Sequence, residues 1–320
     1  MERSEASKSP QGGHLATAWR RLLPIAAALA CFASSPSPAI ETDCAEGVCI
    51  EVERTESGAS FFARNQLPAP VSLLFEFPVL ENMTSSQTLP VKSVILPHAR
   101  ELLVRIRANE HATVTRWRWS WRWTTGVLGA RHAADVRYWI PWSAILRFPV
   151  GQAVGGSYSH TGNWRFAFDF WMPSGTPIRA ARDGVVVRVI EEFNQGGTEE
   201  RFKKRANLIF ILHADGTIAR YLHLQQGGVQ VALGERVAAG DLIGFSGNTG
   251  YSQDPHLHFD VIRVDENLEW QTVDVRFAND RPAGFRPESG QVLNGGARQI
   301  GVADRAPGPA AISSTDPRPR

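Results

Sequence analysis

Cysteine is scarce in this chain, which limits the cysteine-based metal sites and nucleophiles that it can form. Of three cysteines among 320 residues, Cys31 lies in an N-terminal apolar run, which leaves Cys44 and Cys49 for the rest of the chain. A metal site built on this pair would need further ligands nearby, and no cysteine or histidine supplies them. Two cysteines separated by four residues in an exported chain are expected to form one disulfide, so no cysteine remains for nucleophilic catalysis.

Other common signals are also absent. The sequence has no H-E-x-x-H helix and no G-x-S-x-G elbow, which excludes the most familiar zinc-protease and serine-hydrolase motifs. The formal charge is only +2, and residues 1–39 carry the same +2, so the remainder is neutral and a nucleic-acid partner is not expected. The only lysines are Lys8, Lys92, Lys203 and Lys204, none of them at a hairpin tip, which argues against a biotinyl- or lipoyl-carrier module.

Residues 1–39 have the pattern of a secretory signal. Arg20 and Arg21 precede the apolar run LLPIAAALACFA, which is too short to span a bilayer, and small residues end at Ala39. We therefore predict a signal peptide over 1–39 and a protein exported to the periplasm or cell envelope. An uncleaved anchor is the alternative, and lipid attachment at Cys31 has a poor sequence context.

The rest of the chain is predicted to be all-β. Residues 40–149 contain short β-rich runs with no helical periodicity, which predicts an N-terminal β-sandwich domain. Residues 150–279 continue with β-rich runs and turn signals, which predict a second, antiparallel β domain, and 280–320 form a Pro/Gly-rich tail predicted to be disordered. The polar segment 191–206 between two of these runs is interpreted as a solvated loop, with a groove wall or lid as the alternative.

One run in the first domain, RWRWSWRW, alternates perfectly between tryptophan and other residues. In a strand, one face carries the four tryptophans and the other carries arginine and serine. The indoles are expected to form a sandwich core or to pack on the second domain. The alternative is a surface that contacts a glycan or a protein partner through Trp117, Trp119, Trp121 and Trp123.

The run PHLHFDV near the end of the second domain places two histidines on one face of a strand. His256 and His258 point the same way, with Asp260 on the same face and Leu257 and Phe259 opposite. Such a pair is often a polar surface, but hydrolytic zinc sites also draw three ligands from His, Asp or Glu and prefer rigid strands. Residues two apart on a strand lie about 6.6 Å apart, so one histidine can ligate while the other reaches substrate.

Residues 157–262 resemble the lysostaphin/LytM-type zinc metalloendopeptidases, which cut peptide bonds in bacterial peptidoglycan. The matching motifs occur in the family's order: SHTG, AFDFWMPSGTPIRAARDGVVV, NLIFILHADGTIARYLHL, GERVAAGDLIGFSGNTGYS and PHLHFDV. The resemblance implies that Zn²⁺ is held by His160, Asp169 and His258. It also implies that His223 and His256 are catalytic, orienting or deprotonating the attacking water and stabilising the oxyanion.

The sequence departs from the family pattern at one place. Family members commonly place the aspartate four residues after the first histidine, whereas eight residues separate His160 from Asp169 here, and position 164 is tryptophan. We interpret the extra residues as a longer loop between two ligands. His213 precedes a tight turn and is expected to be structural, and Asp260 is expected to accept a histidine N–H. Tyr158 is expected to be an ordinary groove residue, with donation to an oxyanion as the alternative.

These features predict a zinc-dependent endopeptidase that hydrolyses peptide cross-links of peptidoglycan, with peptide stems as its partner. The alternative is a non-catalytic or autoinhibited protein of the same fold that activates or scaffolds other cell-wall hydrolases. Loss of ligand positions would mark that alternative, and here all three ligand positions and both catalytic positions are filled.

Overall fold

The computed structural model describes residues 40–278 and 283–296, and the regular secondary structure of this part of the chain is almost entirely β-strand. The all-β fold class predicted from sequence is confirmed. The first eight strands are β1 Glu41–Ala45, β2 Val48–Thr55, β3 Gly58–Asn65, β4 Val71–Glu81, β5 Met83–Ser85, β6 Val91–Ile95, β7 Arg100–Ala108 and β8 Arg116–Thr125.

Thirteen further strands and two short 3₁₀ helices, Gly162–Trp164 and Glu200–Phe202, follow within the described residues. The strands are β9 Arg147–Gln152, β10 Phe168–Trp171, β11 Pro177–Arg179, β12 Gly184–Ile190, β13 Gly196–Gly197, β14 Asn207–Leu212, β15 Ile218–Val229, β16 Arg236–Val237, β17 Leu242–Ser246, β18 Gly250–Tyr251, β19 His256–Val264, β20 Trp270–Thr272 and β21 Val292–Asn294.

The N-terminal strands form two sheets that share one hydrophobic core. A five-stranded sheet has the order β1-β2-β3-β7-β5, and a three-stranded sheet has the order β6-β4-β8. Alternation in β3 buries every second residue, including Phe61, which packs edge-on against Trp117. The predicted disulfide between Cys44 and Cys49 is present, joining β1 to β2. Assignment of these sheets to the sandwich class stays a prediction.

The four tryptophans of β8 belong to this core. Their exposed fractions are at most 8%, and Trp121 Nε1 donates to Asp43 Oδ2 at 3.1 Å. The opposite face of β8 carries the more exposed arginines. The alternative of a glycan or protein contact through these tryptophans is therefore wrong, because Trp117, Trp119, Trp121 and Trp123 have almost no surface to offer.

The second region is one large, largely antiparallel sheet that positions the histidines. Its main path is β16-β12-β14-β15-β19-β10-β9-β21, with β17 and β20 attached at the side and β11 paired with β17. Valine and isoleucine are frequent in β12, β14 and the second half of β19, as expected of strands whose side chains pack into a core. The strands that carry the candidate ligands, β10 and β19, are adjacent near the centre of this sheet.

Two of the predicted boundaries need correction. Tyr138, Ile140 and Trp142 pack in the second core, and β9 begins at Arg147, so the predicted division between 149 and 150 falls inside a strand of the second sheet. The predicted disorder over 280–320 is wrong for 283–296, because β21 pairs with β9 in this segment. Sequence composition missed this strand because it is only three residues long within a Gly-rich segment.

The two regions are joined by a third hydrophobic cluster and by hydrogen bonds. Ala69 and Leu74 from the first region pack with residues of the second that include Phe210 and Trp270. The indole Nε1 of Trp270 also donates to the carbonyl of Thr125 at 2.9 Å. The second region therefore covers the part of the small sheet's outer face around Leu74.

The predicted signal peptide at 1–39 lies outside the described residues, as do residue 279 and positions 280–282 and 297–320 of the predicted tail. Within the described part of the chain, no helix has the length and apolar character needed to cross a membrane.

Candidate metal centre

Asp169 and His258 are brought together by strand pairing. They lie directly opposite each other in the antiparallel pair β10–β19, and their side chains share one face of the sheet. His258 Nδ1 lies 2.8 Å from Asp169 Oδ1. Asp169 is buried, and His258 is partly buried. The pairing register places both side chains within reach of one ion.

His160 reaches the same place from the irregular segment between β9 and β10. Its side chain is fully buried, and Nδ1 donates to the carbonyl of Ala153 at 3.0 Å. This bond leaves Nε2 as an acceptor, 3.2 Å from Asp169 Oδ2 and without a hydrogen-bond donor. His160 Nε2 and Asp169 Oδ2 are thus two buried acceptors with no donor between them, and a cation bound there would satisfy both. The eight intervening residues therefore do not prevent His160 from meeting Asp169.

The three predicted ligands converge on one point. One ligand atom from each of His160, Asp169 and His258 lies within 4.8 Å of the other two. Two imidazoles and a carboxylate are a donor set that zinc accepts, and they leave a coordination position free for substrate or water. The donor types and the unsatisfied His160 nitrogen both fit a zinc ion.

Gln152 orients Asp169, and sequence analysis did not identify it. It lies opposite Asp169 on β9, and its Nε2 donates to Asp169 Oδ2 at 2.7 Å. Burial alone would raise the pKa of Asp169, but the adjacent imidazoles of His160 and His258 hold this pKa well below its usual range. Asp169 is therefore an anion in the metal-free protein.

Asp260, which is predicted from the sequence to accept a histidine N–H, lies beside the second ring nitrogen of His258. Nε2 lies 3.1 Å from Asp260 Oδ2, and Asp260 is completely buried. Burial would lower the pKa of His258, but the carboxylates of Asp169 and Asp260 raise it to about 9. In the metal-free protein His258 is thus an imidazolium beside these carboxylates, and its Nδ1 proton must leave before the nitrogen can ligate a metal.

His223 and His256 lie beside the three ligands without joining them. Their ring centroids are 4.6 Å apart, and His256 Nε2 lies 3.7 Å from Asp169 Oδ1. His223 Nδ1 donates to the carbonyl of Thr249 at 2.7 Å, and His256 Nδ1 donates to that of Asp254 at 2.8 Å. These bonds leave each Nε2 as the nitrogen able to accept a proton. Burial lowers the pKa of both histidines, so both are neutral near pH 7.

A β-bulge places His223 in the site. Leu222 and Leu224 oppose the consecutive residues Leu208 and Asn207, so His223 is the extra residue on β15. Its φ of 66° lies in the left-handed region, which a non-glycine residue rarely adopts. Such bulges redirect a side chain and occur often beside active sites. Alternation along the strand cannot reveal this feature.

The polar segment 191–206 is tied to the strand that leads to His256. Within it, β13 pairs in parallel with β18, and Phe202 is buried. Tyr158 and Trp171 are exposed, and Trp171 lies opposite His256 on β10. The segment is therefore packed against the strand that precedes His256 rather than free in solvent, and its role as a groove wall stays a prediction.

His213 lies outside the site, at the other end of β14. Its Nδ1 donates to the carbonyl of Asp183 at 2.7 Å, and its ring packs edge-on against Tyr138. No carboxylate or second histidine joins it in a ligand cluster within the described residues. These contacts agree with the structural role predicted for it.

Fold and site together define an all-β domain with a candidate mononuclear metal centre flanked by two neutral histidines. Residues 165–271 match the family model described as Peptidase family M23. The chain therefore carries a peptidase M23 domain. The matched range contains Asp169, His223, His256 and His258, and His160 lies just before it.

Curated relatives of this domain include two named peptidases. The glycyl-glycine endopeptidase ALE-1 of Staphylococcus capitis is 42% identical over 131 residues, 40% of this chain and 33% of the relative. The peptidoglycan DD-endopeptidase ShyA of Vibrio cholerae is 39% identical over 94 residues, 29% of this chain and 19% of the relative. This chain thus spans between a fifth and a third of the length of these two relatives. The solved structure of lysostaphin from Staphylococcus simulans aligns at 30% identity over 39% of this chain and 47% of that chain, with a TM-score of 0.29.

Proposed function

We propose that this protein is a zinc-dependent endopeptidase that hydrolyses peptide cross-links of bacterial peptidoglycan in the periplasm or cell envelope. The observation that carries the proposal is the convergence of His160, Asp169 and His258 in a peptidase M23 domain, with a buried His160 nitrogen that lacks a donor. The named substrates of the relatives support a cell-wall substrate, and the secretory pattern at 1–39 supports export.

In this proposal, His160 Nε2, His258 Nδ1 and the Asp169 carboxylate hold the ion. When bound, zinc supplies a Lewis acid that polarises a peptide carbonyl and activates water for attack. Gln152 keeps Asp169 turned towards the two histidines through its 2.7 Å hydrogen bond. These four residues hold the ion and keep its ligands oriented, and they exchange no proton with substrate.

His223 and His256 carry the proton chemistry in this proposal. Each presents Nε2 as a free acceptor because Nδ1 is tied to a backbone carbonyl. A neutral imidazole can take a proton from the attacking water, and a protonated one can donate to the oxyanion or the leaving amine. Two adjacent imidazoles allow one to accept while the other donates.

The proposal is tested by incubating the purified chain with isolated peptidoglycan sacculi, with and without a zinc chelator. Mass spectrometry of the soluble products is expected to find cleaved cross-links whose release stops with the chelator. Product masses identify the scissile bond, since the relatives are named for glycyl-glycine and DD bonds. An Asp169→Asn variant is expected to release nothing, and a His213→Asn variant serves as the matched control. No release by a chain with bound zinc would contradict the proposal and favour a regulatory role.

A further inference from the structure

Asp260 receives a second partner, Arg220, from the neighbouring strand β15. Arg220 lies opposite Asp260 in the strand pair, and only 4% of its surface is exposed. Its Nε donates to Oδ1 at 2.7 Å, and its Nη2 donates to Oδ2 at 2.5 Å. This two-point contact fixes the plane of the Asp260 carboxylate.

The fixed carboxylate in turn limits the orientation of His258. Asp260 Oδ2 accepts from His258 Nε2 at 3.1 Å, while Nδ1 on the other side of the ring faces Asp169 at 2.8 Å. Rotation of the imidazole would break both contacts. Partners of this kind select the ring nitrogen that faces a metal.

Aromatic rings enclose the Arg220 guanidinium. Its central carbon lies 4.6 Å from the Trp164 ring, 5.5 Å from the Trp270 ring and 5.8 Å from the Phe210 ring. Trp164 belongs to the 3₁₀ helix within the segment between His160 and Asp169. The segment that departs from the family's spacing thus covers the Arg220–Asp260 pair, and its tryptophan occupies the position where the family pattern would place a ligand.

We propose that Arg220 is a positioning residue that acts through Asp260 to hold His258 with Nδ1 facing the metal position, and that Trp164 shields this pair from water. The inference rests on the proposed zinc site. Shielding matters because a charge-assisted hydrogen bond is stronger where water is excluded. Arg220 itself touches neither the metal position nor Asp169.

The test measures zinc affinity by chelator competition for the wild-type chain, Arg220→Lys and Arg220→Met. We expect Arg220→Met to raise the zinc Kd by about 10- to 100-fold. Arg220→Lys keeps the charge but loses the planar fork, so its Kd is expected to lie between those of wild type and Arg220→Met. The visible spectrum of the Co²⁺-substituted protein is expected to change in both variants, because the His258 ring is no longer fixed.

Two further variants keep the test decisive. Arg188, whose guanidinium also lies over the Phe210 ring at 5.6 Å, provides a matched control, and Arg188→Met is expected to leave zinc affinity unchanged. If Arg220→Met does not fold, the double variant Arg220→Met/Asp260→Asn removes the uncompensated buried charge. Its Kd is expected to match that of Asp260→Asn alone, because the two residues act as one unit.

Wild-type zinc affinity and an unchanged cobalt spectrum in folded Arg220 variants would overturn the inference, because Arg220 would then serve stability alone. Additive losses in the double variant would also overturn it. A wild-type chain that binds no zinc would instead refute the proposed function, and with it the premise of this inference.

Discussion

Strands β8 and β19 each carry an unusual set of side chains at every second position. On β8 this set, the tryptophans, faces the core, whereas on β19 the histidines face away from it. The tryptophan face of β8 is buried in the first core, and its other face carries mainly arginine. On β19, the alternating Leu257, Phe259 and Val261 are completely buried, which leaves His256 and His258 on the face that forms the site. An unusual set of side chains therefore has to be interpreted together with the residues on the opposite face of its strand.

The physical reason is that a strand has one side facing the core, and the more apolar face occupies it. On β8 the tryptophans are the apolar face, so they are the core. On β19 aliphatic and aromatic residues fill the core and free the histidines for chemistry. The predictions below test this difference, beginning with the largest expected effect.

The two histidines of β19 are expected to fail in different ways. His258→Ala should lose both zinc and activity, because it removes a ligand from the three-residue set. His256→Ala should keep zinc and lose about 10²- to 10⁴-fold in kcat, the range for a lost general acid or base. Zinc content by atomic emission and turnover of a cross-linked muropeptide measure the two effects.

His213→Asn is the control for both variants, since His213 is buried but lies outside the ligand cluster. Normal zinc content in both His256→Ala and His258→Ala would show that the ligand assignment is wrong. Loss of zinc in both would place His256 among the ligands.

Removing a tryptophan from β8 is expected to affect stability and leave zinc binding intact. Trp121 is 1% exposed, so Trp121→Ala should lower the free energy of unfolding by about 3 to 5 kcal/mol. Trp171 is 55% exposed on β10, and Trp171→Ala should cost within about 1 kcal/mol. Urea titration followed by circular dichroism measures both values. Equal costs for the two variants would contradict the contrast between core and exposed indoles.

The sequence predicted the features that follow from alternation and from motif resemblance. Asp169 and His258 were both identified, and the strand pairing places them opposite each other. The alternation also predicts the buried tryptophan face of β8, and no other residue of that strand is apolar.

Other features depend on contacts between distant segments, which local patterns do not encode. Gln152 meets Asp169 only through the pairing of β9 with β10, and Arg220 meets Asp260 only through the pairing of β15 with β19. The bulge that redirects His223 is visible only in the pairing register of β14 with β15, and the bulged residue is not a glycine. The strand β21 also depends on a distant partner, because β9 precedes it by about 140 residues.

His213 shows that a buried histidine can also be purely structural, and its pH dependence sharpens the contrast. Burial lowers its pKa to about 4 from an ordinary value near 6.5. The unfolded chain therefore binds more protons than the folded one between these values, and this contribution to stability is complete above pH 6.5 and is lost as the pH falls towards 4. The loss amounts to about 3 kcal/mol.

The measurement compares the wild-type chain with His213→Asn, both with chelator, by urea unfolding at pH 4.5, 5.5, 6.5 and 7.5. The amide of asparagine can still donate to the Asp183 carbonyl but does not titrate. The variant should lose less stability on acidification than the wild type does, while the other histidines contribute alike to both. Parallel pH profiles would show that folding does not lower the pKa of His213, and the prediction would be wrong.

Among these predictions, a substitution on the polar face of β8 is expected to have the smallest effect on the free energy of unfolding. Arg122 Nη1 donates to the carbonyl of Asn267 at 2.8 Å, and Lys92 Nζ donates to that of Glu266 at 2.6 Å, so both link the small sheet to the second region. These side chains are partly exposed, and Arg122→Ala should cost about 0.5 to 1.5 kcal/mol, with zinc affinity unchanged. Arg105→Ala, on exposed β7 surface away from this contact, is the matched control and should cost within about 0.5 kcal/mol. A cost for Arg122→Ala as large as that for Trp121→Ala would mean that β8 depends equally on both faces, and the contrast with β19 would fail.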